Sequence, residues 1–239
     1  MFTGEPIAFE FAGSQWWLCA LGDRAVRLEL QIQDMSLASC GAVQHLSAAL
    51  HAKQTHFSVQ AQVPAYASLM LMLQPGSDLP DLAAKLLAFF STAQTAISLK
   101  EYSLKEWAAP LVQLQLLPEP GLDAALLADA FGLSVPQLLS QFCAAQYRVA
   151  QIGFRAGFPY LLGLPPELSL PRRASVRAQV PALSVAIGGA QAGIYPATGP
   201  GGWHVIGQIA QPLFNPNGFP ERGGAPCWLA PGDRVQFLC

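Results

Sequence analysis

Residues 183–209 read LSVAIGGAQAGIYPATGPGGWHVIGQI, and the way these residues divide into runs decides the fold class. Leu183–Ile187 and Trp203–Ile209 are short apolar runs, each bounded by glycine or proline. The same texture holds from Tyr147 onward and returns at Val235–Leu238. Many short strands punctuated by Gly and Pro turns indicate a barrel or a sandwich. Between the runs, Gly199-Pro200-Gly201-Gly202-Trp203 offers backbone N–H groups to line a pocket, with Trp203 as an apolar wall or, equally, as core beside a barrel corner.

Upstream lie Gly153-Phe154-Arg155-Ala156-Gly157-Phe158-Pro159-Tyr160 and then Pro171-Arg172-Arg173 with Arg177. Three of the 13 basic residues fall within six positions there. Guanidinium forks suit bidentate capture of a carboxylate or phosphate. The alternative is a solvated loop whose arginines pair with carboxylates of this chain. Tyr160 and Tyr195 offer a phenolic hydroxyl to a ligand or to a buried carbonyl.

Further upstream, 107–117 reads as a strand and 122–131 as a helix. A second helix follows, capped by Ser134 with Pro136 in its first turn. The first hundred residues alternate differently. Residues 16–30 are apolar and broken at Gly22-Asp23, which predicts a hairpin. Leu37, Cys40, Leu46 and Leu50 recur at helical spacing behind Asp34 or Ser36. Phe57, Val59, Ala61 and Val63 alternate with polar residues as in a half-buried strand ended by Pro64. Residues 68–73 give the next strand. A helix then starts after Ser77 or Asp78, with Leu82, Leu86, Phe89, Phe90 and Ala93 on one side. The order β, α, β, β, α is that of a split βαβ or ferredoxin-like domain. The charged stretch Lys100–Lys105 marks the boundary, giving an N-terminal α+β domain over 1–104 and a barrel over 105–239.

Composition narrows the function classes. Of 239 residues, 12% are charged and 52% hydrophobic, which excludes a disordered chain. A net charge of -2 disfavours nucleic acid as a partner. No window is continuously apolar for about 20 residues, so no membrane span is expected. Glu5 and Glu10 stand where a signal peptide needs basic residues, so the chain reads as cytoplasmic. The charge-free run from Ala178 to Pro220 is expected inside the barrel or against a second subunit. Cys19, Cys40, Cys143, Cys227 and Cys239 form an odd, scattered set, which predicts thiols rather than a disulfide framework or a zinc site. His45, His51 and His56 share no face with a carboxylate partner, and His204 alternates with barrel residues, so no metal is expected. G-x-S-x-G, the P-loop and G-x-G-x-x-G are missing, so no cofactor is expected on this chain alone, and a nucleotide such as ATP would need a partner to bind it.

Taken in order, GFRAGFPYLLGLP, PRR, VRAQVPALSVAIGGAQAGIYP, GPGGWHVIGQIAQPLFNP and PGDRVQFL closely resemble the KipI family, also called allophanate hydrolase subunit 1 or the PxpB subunit of 5-oxoprolinase. Leu21-Gly22-Asp23-Arg24-Ala25 and Val63-Pro64-Ala65-Tyr66-Ala67-Ser68-Leu69 match the N-terminal motifs of that family, so the likeness covers the whole chain. The resemblance implies an α+β domain followed by a cyclophilin-like β-barrel. It also implies a companion subunit of the same barrel family (PxpC or allophanate hydrolase subunit 2-like) and a PxpA-like subunit, with ATP used in the complex to open 5-oxoproline. Other family roles are inhibition of a histidine kinase and the carboxyltransferase part of urea amidolyase.

The family pocket maps onto Phe158, Pro159 and Tyr160, onto Arg172, Arg173 and Arg177, onto Gln191, Gly193 and Tyr195, and onto Pro200, Gly201, Gly202 and Trp203. In that assignment the three arginines hold an anion, while Gln191 and Tyr195 orient it. The catalytic residues are not identified. Four polar family positions are altered: Phe142 stands for His, Ala192 for Thr, Gly199 for Ser and Gln208 for Arg. Each change is expected to remove a donor or a charge from the site.

Overall fold

The computed structural model describes residues 5–53, 55–92 and 109–239. The chain divides into two compact units between Ala108 and Ala109. The expected boundary after residue 104, the charged stretch Lys100–Lys105 and Ala93 lie outside the described residues.

The N-terminal unit is an antiparallel sheet of β1 (Ile7–Phe11), β2 (Ser14–Leu21), β3 (Ala25–Leu30), β4 (Val59–Pro64) and β5 (Ser68–Leu73), in the order β1-β2-β3-β5-β4. Two helices, α1 (Leu37–His51) and α2 (Leu79–Thr92), contribute to its core. Because β5 is antiparallel to both β3 and β4, the unit β3-α1-β4 is a βαβ crossover split by β5. The strand β1 was not foreseen. It pairs with β2 through a tight turn in which Ala12 and Gly13 both have positive φ, the geometry that suits the twist of a hairpin. Ser36 caps α1 by accepting from the Ser39 amide at 3.1 Å.

The alternation expected in β4 breaks partway along the strand. The register shifts between Val59 and Ala61, so Val59 lies in the core while Val63 is 40% exposed. Gln62 takes the inward position instead, with its carboxamide 2.8 Å from the Ser47 hydroxyl of α1. A β-bulge moves every later side chain to the other face.

In the C-terminal unit, a seven-stranded sheet is formed by β6 (Leu111–Gln115), β7 (Gln146–Ile152), β8 (Pro159–Leu162), β10 (Ser184–Gly188), β11 (Gln191–Ile194), β13 (His204–Gln208) and β16 (Arg234–Leu238), in the order β13-β10-β11-β8-β7-β16-β6. All neighbours are antiparallel except β16 and β6, which run parallel. The chain leaving β6 reaches the opposite edge. Leu117 N–H donates to the Gln208 carbonyl, Gly121 to Ile206 and Asp123 to Val205, at 2.8, 3.0 and 2.8 Å. The sheet is therefore curled until its two edges meet. Two smaller ladders, β9 (Arg177–Val180) with β12 (Gly199–Gly201) and β14 (Phe214–Phe219) with β15 (Ala225–Cys227), complete the unit.

The helices α3 (Ala124–Phe131) and α4 (Val135–Ala144) lie between β6 and β7 in the chain. Ser134 and Gln137 form a capping box at α4, with Pro136 in the first turn as expected. Leu138 and Phe142 of α4 are fully buried, and Phe142 packs on Tyr147 and Phe237 with ring centroids 5.1 and 4.9 Å away. The Tyr147 hydroxyl donates to the Phe142 carbonyl at 2.9 Å, and burial pushes that phenol well above its usual value.

One cysteine expectation is overturned. Cys143 at the end of α4 and Cys239 after β16 form a disulfide, with Cα atoms 6.3 Å apart and a separation of 96 in sequence. No local spacing could have revealed a pair brought together by the docking of α4 on β16. Among the described residues, no helix is long and apolar enough to cross a membrane.

Candidate functional site

Side chains of the curled sheet serve two separate clusters, and period two decides which. From β11, Ala192 and Ile194 enter the large core with Val185, Ile187 and Ile206. Ala186 of β10, Val205 of β13 and Tyr195 just after β11 join Phe158, Val180 and Trp203 in a second cluster on the opposite face. Alongside this second cluster opens a cleft of about 300 Å³.

Phe158 is the hub of the wall. Its ring meets Tyr195, Trp203 and Tyr160 at 5.2, 5.8 and 5.0 Å, and Tyr160 meets Trp203 at 5.8 Å. Edge-to-face geometry of this kind adds about 0.5–1.5 kcal/mol per pair beyond simple burial. The rings can lie this close to the strands because two glycines leave room. A Cβ at Gly193 would stand 2.8 Å from the Phe158 ring, and one at Gly201 would overlap the Tyr195 hydroxyl. The Tyr195 hydroxyl accepts weakly from the Trp203 amide at 3.4 Å, and burial raises the phenol above its usual value.

The segment 171–177 crosses the cleft on two anchors. The Arg173 amide donates to the Gly202 carbonyl at 2.9 Å, and His204 Nε2 lies 3.0 Å from the Pro171 carbonyl. Arg172, Arg173 and Val176 of this segment line the cleft. Their guanidiniums have different fates. Arg177 grips Asp123 with two bonds of 2.6 Å, and Arg173 adds a third at 2.9 Å. The Val205 amide gives a fourth at 2.7 Å. Burial alone would raise the Asp123 carboxyl. The Arg177 and Val205 hydrogen bonds, with the charges of Arg177 and Arg173, outweigh it and hold the group below the usual carboxylate range.

Two of the three expected anion receptors are thus already committed to a carboxylate of this chain. Arg172 differs from them. It is exposed, its guanidinium lies over the Trp203 ring at 5.5 Å, and no carboxylate pairs with it among the described residues.

Of the expected residues, Phe158, Tyr160, Arg172, Arg173 and Tyr195 line the cleft together with the Pro200–Trp203 loop. Pro159, Arg177, Gln191 and Gly193 do not line it. Arg177 is turned to Asp123, Gln191 is buried in β11 opposite Gly188, and Gly193 acts through the space it leaves for Phe158. Phe154, Val176 and Asp123 were not singled out. A signal for Asp123 existed in Gly121-Leu122-Asp123, a lone acid just ahead of a helix, but its arginine partners lie 50 and 54 residues away.

The altered family positions also need correction. Phe142 and Ala192 are in the interior core, and Gln208 donates to the Ala182 carbonyl at 2.7 Å. None of the three lines the cleft, so their loss of polarity takes no donor from it. Gly199 alone adjoins it, beside Pro200.

The sequence pattern of the family described as carboxyltransferase domain, subdomain C and D matches residues 16–222, and the chain belongs to that family. It is 45% identical over 118 residues to the 5-oxoprolinase B subunit of Escherichia coli O157:H7, a stretch covering 49% of this chain and 52% of that protein. The chain spans about half the length of the curated relatives it matches. Among solved structures it is similar to TTHA0988, with 30% identity and a TM-score of 0.72 over 90% of this chain and 39% of the other. Kluyveromyces lactis urea amidolyase shares the fold at 17% identity, with a TM-score of 0.68 over 98% of this chain and 15% of the other.

Proposed function

We propose that the chain is the B-type subunit of an ATP-dependent 5-oxoprolinase that opens 5-oxoproline to L-glutamate. It works with a companion subunit of the same barrel family, PxpC-like or allophanate hydrolase subunit 2-like, and with a PxpA-like subunit. Its two units correspond to a ferredoxin-like domain and a cyclophilin-like barrel, in a cytoplasmic complex that is inactive without its partners. The likeness to 5-oxoprolinase B subunits supports this reading from sequence. The observation that carries it is the cleft itself. Arg172, lying over Trp203 and paired with no carboxylate among the described residues, meets aromatic walls in a space suited to one small ring with one anionic group.

Amide resonance makes a lactam unreactive, so its opening needs activation that ATP supplies in the complex. This chain's share is to bind and orient. Arg172 holds the carboxylate, with Trp203, Phe158 and Tyr160 against the ring, while Arg173 stays pinned by Asp123 at the cleft wall. A charge-assisted hydrogen bond from such a guanidinium contributes about 1.5–3 kcal/mol. A kinase-inhibitor role would draw its main support from a depolarised site, and the placement of Phe142, Ala192 and Gln208 away from the cleft leaves only Gly199 to supply it.

Co-expression with the cognate partners is expected to give ATP-dependent release of glutamate from 5-oxoproline. Arg172→Ala should raise KM roughly tenfold or more, in line with the loss of one charged hydrogen bond. A complex that lacks the activity, or one indifferent to Arg172→Ala, contradicts the assignment.

A further inference from the structure

The turn between β7 and β8 carries a feature that packing alone does not explain. Phe154 has φ +66°, the left-handed region that a bulky side chain avoids, and it is 59% exposed at the rim of the cleft. Its neighbours keep it there. Arg155 Nη1 donates to the carbonyls of Ala197 and Thr198 at 3.2 and 3.3 Å. The Arg155 guanidinium fills the notch left by Gly199, where a Cβ would stand 2.5 Å from it, and lies 5.1 Å from the Phe154 ring. At the other end, Gly157 is so close to Leu213 and Phe214 that a Cβ would meet Phe214 Cβ at 2.8 Å. The tip is therefore fixed at both ends. Phe154 is presented edge-on to Phe158 at 5.4 Å and Tyr195 at 6.4 Å.

A strained, exposed aromatic fixed beside a cleft has an apolar plate to offer. Two guanidiniums without a carboxylate partner among the described residues stand here, Arg172 over the Trp203 ring at 5.5 Å and Arg155 at 5.1 Å from the Phe154 ring, while Arg173 is neutralised by Asp123. An anionic ring without a positive charge fits this surface. An ammonium-bearing molecule such as L-proline or L-glutamate is opposed by two guanidiniums.

Resting on the 5-oxoprolinase reading, we propose that Phe154 is a specificity-determining residue that packs on the ring of 5-oxoproline and favours it over ammonium-bearing amino acids. Arg155 is the positioning residue that holds Phe154 in place.

The test uses the co-expressed complex, measuring KM and kcat for 5-oxoproline and inhibition by L-proline and L-glutamate. Phe154→Gly relieves the backbone strain, because glycine takes positive φ freely. Its melting temperature should match or exceed wild type, while KM rises roughly tenfold at nearly constant kcat. A merely structural residue would not give that opposition. Arg155→Ala should raise KM in the wild-type background and add little to Phe154→Gly, because it acts through the ring. Wild-type cleavage with KM unchanged in Phe154→Gly overturns this proposal alone. A wild-type complex that neither cleaves 5-oxoproline nor binds it by calorimetry overturns both this proposal and the reading beneath it.

Discussion

The two faces of the curled sheet are built from one stretch of chain and do different things. Towards the interior, Val185, Ile187, Ala192, Ile194 and Ile206 make an ordinary apolar core. On the other face, Ala186 and Val205 share a cluster with the rings of Phe158, Tyr195 and Trp203, and Gly193 leaves room for the Phe158 ring. Both faces are covered, so β10 and β11 are buried at every position and β13 at all but Gln208. That explains the absence of charge within these three strands, while Ala178, Gln179, Phe214, Pro216 and Asn217 of the same charge-free run are exposed. Strands buried on both sides read as continuous apolar runs, and a lack of charge in such strands says nothing about docking. The cleft opens beside the smaller aromatic cluster rather than beside the large apolar core.

The strongest way to break this division is to remove Asp123, which ties the covering segment to the sheet. Asp123→Ala leaves Arg173 and Arg177 and the Val205 amide without their acceptor, and should cost about 3–5 kcal/mol in urea unfolding. A loss below about 1 kcal/mol would mean that the segment is held otherwise. The same residue gives a pH signature. Its folded value lies below the unfolded one of about 3.9, so its stabilisation is present above that pH and fades as pH falls towards the folded value. Wild type should therefore lose more stability between pH 7 and pH 3 than Asp123→Asn does.

Next in size is the disulfide on the α4 side. Non-reduced protein should titrate three thiols of five, and reduction should lower stability by about 2–4 kcal/mol. Five reactive thiols in protein purified without reductant would show that the pair is open, as a reducing compartment favours. Smallest is Ala192→Thr, which separates the two faces directly. It should destabilise by about 1–3 kcal/mol, because a hydroxyl enters the interior core, and leave KM for 5-oxoproline unchanged. Tighter substrate binding in that variant would place residue 192 on the cleft face.

Local chemistry was legible in the sequence wherever it was decided locally. Ser36 and Ser134 announced their helices, and Gly22-Asp23 announced the hairpin. The cleft residues Tyr160, Arg172, Tyr195 and Trp203 were recognisable as a group. What sequence hid was set by distant pairing. The bulge in β4 follows from its fit to β5 and α1, the Cys143–Cys239 pair needs α4 docked on β16, and Arg173 and Arg177 find their acid in Asp123 at the start of α3. A strand position such as 192 also looks the same from either face until its register is known.

The most direct test of the whole account is the crystal structure of the co-expressed complex with 5-oxoproline. The ligand is expected in this cleft, its carboxylate on Arg172 and its ring among Phe154, Phe158 and Trp203. Density for 5-oxoproline elsewhere, with this cleft holding only solvent, would contradict it.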